Sequence, residues 1–158
     1  MTTPSMITPI QKTISVPCSP ETAFSIFTRD ITKWWPLGVN SVSAMDGKPA
    51  QAVELELKQG GRLREISHDG TVHEWGSVKV FQPGEHLQLA WHIGTPEENA
   101  TLVDVHFKPS GSGTEVKLSH THWERMGDGA ADARESYNNG WVGVFEEAFK
   151  NAAQARAA

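Results

Sequence analysis

The feature that most constrains the fold of this chain is a period of two that runs from Ala52 to His122. Apolar and polar residues alternate there in short stretches, separated by turn sequences such as Gly60-Gly61 and Pro83-Gly84. Because successive side chains of a strand point to opposite faces, this alternation predicts strands with one covered and one wet face. The short turns between them indicate six consecutive antiparallel strands.

A strand and two short helices are predicted ahead of these six strands. The segment 10–16 alternates and ends at a proline, which is typical of an edge strand. Ser19 followed by Pro20 is a helix start, because serine caps the first N–H groups and proline suits the first helical position. A second short helix ends before Pro36. Residues 37–51 are rich in Gly, Ser and Asn and predict a long loop that acts as a lid or rim.

A broad apolar stripe at helical spacing predicts a long C-terminal helix. This stripe comprises Tyr137, Trp141, Val144, Phe145, Ala148, Phe149 and Ala152. The covered face of the sheet must pack against it, because it is the largest apolar surface available. We therefore predict an α+β fold in which a curved antiparallel sheet of about seven strands wraps around the helix and leaves a cavity. The expected boundaries are a flexible leader at 1–9, one domain at 10–152 and a frayed tail at 153–158.

Composition excludes several classes of function. The net charge of −5 and the lack of a basic run argue against nucleic acid as a partner. Cys18 is the only cysteine, which excludes a disulfide framework and a thiolate zinc site within one chain. No apolar run approaches the ~20 residues of a membrane span, and no secretion signal is recognisable, so we expect a cytoplasmic protein. No cofactor and no metal are predicted, since HExxH and a phosphate-binding glycine loop are both missing.

Five motifs occur in an order that resembles a known family. They are SPETAFSIFT followed by WWP, GGRLRE, EWGSVKVFQPGEHLQLAW, TEVKLSHTHWERMGDG, and GW near the final helix. The chain resembles the START-like, Bet v 1-like (SRPBCC) superfamily, in the branch of the heat-shock protein 90 ATPase activator homologues of the bacterial single-domain type. The resemblance spans roughly residues 10–150 and implies the helix-grip fold. The family contains ligand carriers, cyclases and chaperone activators, so the resemblance does not select one activity.

Polar residues on the covered face are the candidates for chemistry. Counting by two from apolar neighbours places Glu65, Glu74 and His120 on that face. Two carboxylates and an imidazole inside an apolar cavity suit general acid/base catalysis. Alternatively, either glutamate pairs with an arginine or caps a backbone group, and His120 bonds to a tryptophan or a hydroxyl. His122 shares the parity of His120, so the two imidazoles could chelate a metal, but the lack of HExxH and of a thiolate cluster argues against a metal site. The other five histidines, His68, His73, His86, His92 and His106, are expected at turns or on the wet face.

Three functional hypotheses follow. The first is a small-molecule binding protein that holds an apolar or aromatic ligand in the cavity. The second is a cyclase- or hydrolase-like enzyme that uses a glutamate or His120 as acid or base. The third is a module that contacts a chaperone. The eukaryotic activators carry a further N-terminal domain for this contact, and the expected lack of that domain here argues against the third hypothesis. An exposed edge strand would also allow a homodimer. The predicted cavity residues are Trp35, Glu65, Glu74, Trp91, His120, Trp141 and Phe145.

Overall fold

Seven antiparallel strands form one curved sheet in the computed structural model, which describes residues 7–93 and 95–157. Their order across the sheet is β1-β7-β6-β5-β4-β3-β2, so β1 and β2 are the edge strands. The predicted run of six consecutive strands and the edge position of the first strand are both confirmed. The strands are β1 (Ile10–Val16), β2 (Ala52–Leu55), β3 (Arg62–Ile66), β4 (Val72–Gln82), β5 (His86–Trp91), β6 (Thr101–Ser110) and β7 (Gly113–Thr121).

Two short helices follow β1, and a long helix follows β7. Helix α1 (Pro20–Thr28) begins as predicted, because the side chain of Ser19 accepts a hydrogen bond from the Thr22 backbone N–H at 3.2 Å. Short 3₁₀ helices lie in the connections at Ser43–Asp46, Glu97–Asn99 and Trp123–Gly129, and the last of these is kinked at Gly127. The remaining helices are α2 (Ile31–Trp34), α3 (Ala130–Trp141), a π-helical segment (Val142–Phe149) and α4 (Lys150–Ala157).

The concave face of the sheet packs against the C-terminal helix, as predicted. Phe149 is fully buried in the π-helical segment, with its ring centroid 5.1 Å from that of Phe27 and 5.3 Å from that of Trp34. Phe145 stacks on Phe149 at 5.8 Å. Each such aromatic pair adds about 0.5–1.5 kcal/mol beyond the area that it buries. Within the part of the chain that is described, no helix is long and apolar enough to cross a membrane.

Both chain ends differ in detail from the sequence-based expectation. The C-terminal helix continues to Ala157, and Ala153 is fully buried, although a frayed tail was expected from 153. Ala153 packs against the core, and this burial holds the helix together beyond the predicted stripe. At the other end, the carbonyls of Thr8 and Pro9 accept hydrogen bonds from Arg134. Residues 1–6 of the expected leader and Ala158 lie outside the described residues.

A β-bulge in β4 changes which side chains face the helix. Leu63 pairs with Gly76, and the next residue of β3, Arg64, pairs with Glu74, so Trp75 is an extra residue on β4. An extra residue shifts the alternation by one on one side of the bulge. Trp75 is consequently fully buried, whereas Glu74 lies on the same face as Arg64. The expected position of Glu74 on the covered face with Val78 is therefore wrong.

Candidate functional site

An open cavity of about 960 Å³ is bordered by the loop at 37–51, the facing ends of β4 and β5, and helix α3. Its size is at the upper end of the range for pockets that hold drug-sized molecules. Five aromatic side chains form part of its wall, together with aliphatic and polar residues. The aromatic lining residues are Trp35, Trp75, Trp91, Tyr137 and Trp141.

The aromatic wall is held in place by its own ring contacts and hydrogen bonds. The ring centroid of Trp35 lies 5.2 Å from that of Trp75 and 6.1 Å from that of Trp91. Trp91 donates its indole N–H to the Tyr137 hydroxyl at 3.1 Å, and Trp35 donates to the carbonyl of Asn40 at 2.7 Å. Burial raises the pKa of Tyr137, so its phenol stays neutral. The aromatic part of the wall is therefore preformed and uncharged.

The structure separates the seven predicted residues into two groups. Four of them, Trp35, Glu74, Trp91 and Trp141, line the cavity. Glu65, His120 and Phe145 are fully buried but are not part of its lining. Phe145 belongs to the core beneath the helix, and the other two have hydrogen-bonding partners inside the protein.

Glu65 holds the loop that covers the cavity. Its two carboxylate oxygens accept the backbone N–H groups of Val42 and Ser43 at 2.7 and 2.9 Å. Val42 lines the cavity, and Ser43 begins the helical turn Ser43–Asp46. Hydrogen bonds from N–H groups to a buried carboxylate are about twice as strong as neutral ones. Of the alternatives for Glu65, an arginine pair or a cap on backbone groups, the structure has the second. Through this cap, Glu65 positions the loop at the rim of the cavity.

His120 lies behind the aromatic wall of the cavity, and its hydrogen bonds fix one tautomer of the ring. Its Nδ1 accepts the indole N–H of Trp141 at 3.1 Å, so the ring proton is on Nε2. Nε2 then donates to the Thr101 hydroxyl at 2.7 Å, and that hydroxyl donates to the Trp91 carbonyl at 3.2 Å. Burial lowers the pKa of His120 to about 3, so the ring is neutral under physiological conditions. His120 therefore positions two tryptophans of the wall and makes no contact with the cavity.

A charged cluster lies at the mouth of the cavity. The carboxylate of Glu74 is 3.4 Å from the guanidinium of Arg62 and 4.0 Å from Nε2 of His92. His92 lines the cavity, is 6% exposed and has no hydrogen-bond partner for Nε2 among the described residues. Glu74 is half-exposed, so its oxygens can meet a ligand from the solvent side. Glu74 therefore pairs with an arginine, which is one of the alternatives considered for it above.

Comparison with known families assigns the chain. The family model described as "Activator of Hsp90 ATPase homolog 1-like protein" matches residues 17–153. The chain belongs to this family. The predicted superfamily and branch are thereby confirmed. No curated protein matches the chain.

Solved structures extend the comparison of this activator-homologue domain. The anthrahydroquino-gamma-pyrone synthase Txn09 is 30% identical, with a TM-score of 0.66 over 94% of this chain and 99% of that chain. The self-sacrificing resistance protein CalC from Micromonospora echinospora is 25% identical, with a TM-score of 0.68 over 95% and 96%. The Aha1 dimer from Colwellia psychrerythraea is 17% identical, with a TM-score of 0.62 over 94% and 97%, and shares the fold.

Several lining residues of this activator-homologue domain were not predicted from the sequence. Trp75 was not predicted because the bulge reverses the face to which its side chain points. His92 was not predicted because it follows the last residue of β5, where the alternation ends. The mouth also carries three exposed apolar side chains, Val39, Met45 and Val72, which are 75%, 85% and 54% exposed. The sequence signal for two of them was the predicted rim loop at 37–51. Exposed apolar groups clustered around an opening are typical of a ligand entrance.

The capping role of Glu65 in this activator-homologue domain predicts a specific loss of stability. Glu65→Gln keeps the side-chain shape but replaces one accepting oxygen by an NH₂ group that faces a backbone N–H. We expect the free energy of unfolding to fall by about 2–3 kcal/mol, because a charge-assisted pair is lost and a buried donor is left unpaired. Urea denaturation measures this change. Glu54→Gln, an exposed carboxylate on β2, is the matched control and should change stability by less than about 0.5 kcal/mol. Equal effects of the two variants would contradict the capping role.

Proposed function

We propose that this protein binds a flat, polycyclic aromatic molecule in the cavity between the sheet, the loop at 37–51 and the C-terminal helix. The observation that carries the proposal is the lining by four indole rings and the phenol of Tyr137 around about 960 Å³. Aromatic rings stack on planar ligands in offset or edge-to-face arrangements. A mostly apolar cavity with a few polar groups is also the usual design of a small-molecule site.

The polar groups at the mouth support one orientation for such a ligand. Glu74 and His92 lie on the sheet side of the opening, and Asn40 and Ser41 lie on the loop side. The fused rings of the ligand would occupy the aromatic interior, and its hydroxyl or carbonyl groups would point towards this polar mouth. Val39 and Met45 would then cover the exposed edge of the ring system. These expectations follow from hydrogen-bond chemistry and from burial of apolar surface.

One relative supports the same class of ligand. The 30% identical neighbour is named an anthrahydroquino-gamma-pyrone synthase, and this name describes a product with fused aromatic rings. The 25% identical neighbour is named a self-sacrificing resistance protein, and this name gives a different activity for a similar fold. The ligand class is therefore supported by the first name alone, and the two names do not give a common reaction.

An enzyme that acts on this ligand is a second candidate. Of the three acid/base groups predicted from the sequence, Glu74 alone lines the cavity, and His92 lies 4.0 Å from it. A reaction in this cavity would therefore depend on Glu74 as the acid or base and on His92 as its partner. Turnover that disappears in Glu74→Gln while binding persists would support the enzyme. A cytoplasmic location, a homodimer and contact with a chaperone remain predictions.

Binding can be tested with a pair of glycine variants on the C-terminal helix. Gly140 lines the cavity, and a Cβ built there would meet Nδ2 of Asn40 at 3.7 Å, an ordinary van der Waals contact. Gly140→Leu should fill the mouth, keep the helix and weaken binding of a probe such as 1,8-dihydroxyanthraquinone by at least ~10-fold, or about 1.4 kcal/mol. Quenching of tryptophan fluorescence reports the affinity.

The matched control is Gly143→Leu, the same substitution one turn later. Gly143 is outside the lining, and a Cβ built there would meet a carboxylate oxygen of Glu147 at 3.8 Å. Affinity in this variant should equal that of the wild type. Failure of the wild type to bind any hydroxyanthraquinone, or equal affinity in both leucine variants, would overturn the proposal.

A further inference from the structure

Two histidines and an aspartate meet on the outer face of the sheet, away from the helix. His86 on β5 pairs directly with His106 on β6, and Gln88 pairs with Asp104. The inner-facing neighbours Leu87 and Val105 are fully buried, so alternation directs the four polar residues outwards. The sequence predicted the outward parity of the histidines but not that they face each other, because parity does not determine register.

The three side chains are already in close contact. Nε2 of His86 lies 2.6 Å from Oδ1 of Asp104. The imidazole rings of His86 and His106 stack with their centroids 4.0 Å apart and an angle of 15° between their planes. One potential ligand atom from each of the three residues lies within 4.8 Å of the other two. Among the described residues, no other such group of three is found.

We propose that His86, Asp104 and His106 bind one divalent transition-metal ion, of the class of Zn²⁺, Ni²⁺ or Cu²⁺, on the outer face of the sheet. Imidazole nitrogens together with a carboxylate oxygen are the donor set that these ions prefer, whereas Mg²⁺ and Ca²⁺ prefer oxygen alone. Three protein ligands leave the remaining coordination positions to water. The site is independent of the aromatic cavity.

The ligand geometry is within reach of side-chain rotation. Zinc bonds of about 2.0–2.2 Å place tetrahedral ligand atoms roughly 3.3 Å apart, which is less than the present limit of 4.8 Å. The β-carbons of directly opposed strand residues are held about 5 Å apart by the backbone ladder. Turning the imidazoles out of their stacked arrangement would therefore bring the nitrogens together, and the backbone would not need to move.

Two neighbouring side chains flank the three proposed ligands. Lys117 faces His106 from β7. Lys117 itself lies 3.7 Å from the Glu115 carboxylate, which offsets its charge. Gln88 donates to Oδ1 of Asp104 at 3.0 Å and so orients the carboxylate from outside the site.

Calorimetric titration of the metal-stripped protein with ZnCl₂ and NiCl₂ tests the proposal. We expect the wild type to bind one equivalent of metal per chain. Its metal affinity should fall by about 10-fold to 100-fold or more in His106→Ala and in Asp104→Asn. His106 is exposed, so its removal should leave the fold intact. His68→Ala is the matched control, because His68 also approaches a carboxylate, that of Asp46 at 3.4 Å, without a third ligand. It should bind metal like the wild type.

A thermal readout complements the titration. A metal that binds only the folded chain, at about 100 times its Kd, should raise Tm by roughly 5–10 °C, and this rise should vanish in His106→Ala. Wild-type binding that equals binding by the His106→Ala and Asp104→Asn variants would overturn the proposal. Half an equivalent of metal per chain would overturn it too, because the ion would then bridge two copies.

Discussion

Gly76→Ala is expected to destabilise the protein by about 4 kcal/mol or more, or to prevent folding. A Cβ built at Gly76 would lie 1.9 Å from the carbonyl oxygen of Ala90 and 3.0 Å from its carbonyl carbon. Both atoms belong to the backbone of β5, so no side-chain rotation relieves the clash. Overpacking usually costs 1–3 kcal/mol, and this case exceeds that range because the strands themselves must separate.

Gly129→Ala is the control for this substitution. Gly129 has a φ of −86°, which alanine adopts readily, and among the described residues beyond its chain neighbours no heavy atom lies within 4 Å of a Cβ built there. Gly129 is the N-cap of α3, where alanine is less favourable than glycine, so the same change should cost no more than about 1 kcal/mol. Urea denaturation followed by circular dichroism and by tryptophan fluorescence compares the two variants. A Gly76→Ala protein with the stability of the wild type would show that β4 and β5 approach less closely than described.

The close approach at Gly76 also determines the shape of the cavity. Gly76 pairs with Trp91, and the bulged Trp75 directly precedes it, so the two indoles meet with ring centroids 5.9 Å apart. A side chain at position 76 would separate these rings as well as the strands. A partly folded Gly76→Ala variant should for this reason lose the aromatic ligand before it loses its secondary structure.

Much of the fold could be predicted because its signals are local. Alternation and turn residues are sufficient to define the six-strand run, and helical spacing is sufficient to define the long final helix. Ser19 and Pro20 mark the start of α1 within about one residue. The inward direction of Glu65 also followed from local pattern, since it shares its parity with the buried Leu63. Period and capping are properties of neighbouring residues, and the sequence displays them directly.

The site was less predictable because it depends on tertiary placement. The bulge at Trp75 inserts one residue, and nothing in the alternation before it indicates where parity changes. The partners of Glu65, the N–H groups of Val42 and Ser43, are more than twenty residues away and are reached only when the loop folds over β3. The stacking of His86 on His106 likewise depends on the register of two strands.

Acid should destabilise the wild-type protein through His120 by about 4–5 kcal/mol in total. Burial lowers the pKa of this imidazole from 6.5 to about 3. Between these two values the unfolded chain binds a proton at this residue and the folded chain does not. The free energy of unfolding must therefore fall with decreasing pH, by about 1.4 kcal/mol per unit from roughly pH 6.5 to 3, and this stability is fully present above pH 6.5.

His120→Gln isolates this contribution. Glutamine is neutral at every pH, so the variant should begin about 2–3 kcal/mol less stable than the wild type at pH 7.5 and then approach it as the pH falls. The difference between the two urea-denaturation curves, measured at several pH values, removes the carboxylate titrations that both proteins share. Parallel pH profiles of the wild type and His120→Gln would contradict the burial of a neutral imidazole.

The same protonation should weaken ligand binding, because Nδ1 of His120 accepts the indole N–H of Trp141. A protonated imidazole has no free acceptor, so Trp141 would lose the bond that fixes it in the cavity wall. Affinity for the hydroxyanthraquinone probe should then fall at the acid end of the range where the protein is still folded. In His120→Gln the side-chain oxygen can still accept from Trp141, and affinity should not follow pH in this way. A pH-dependent affinity that is equal in both proteins would contradict this role of His120.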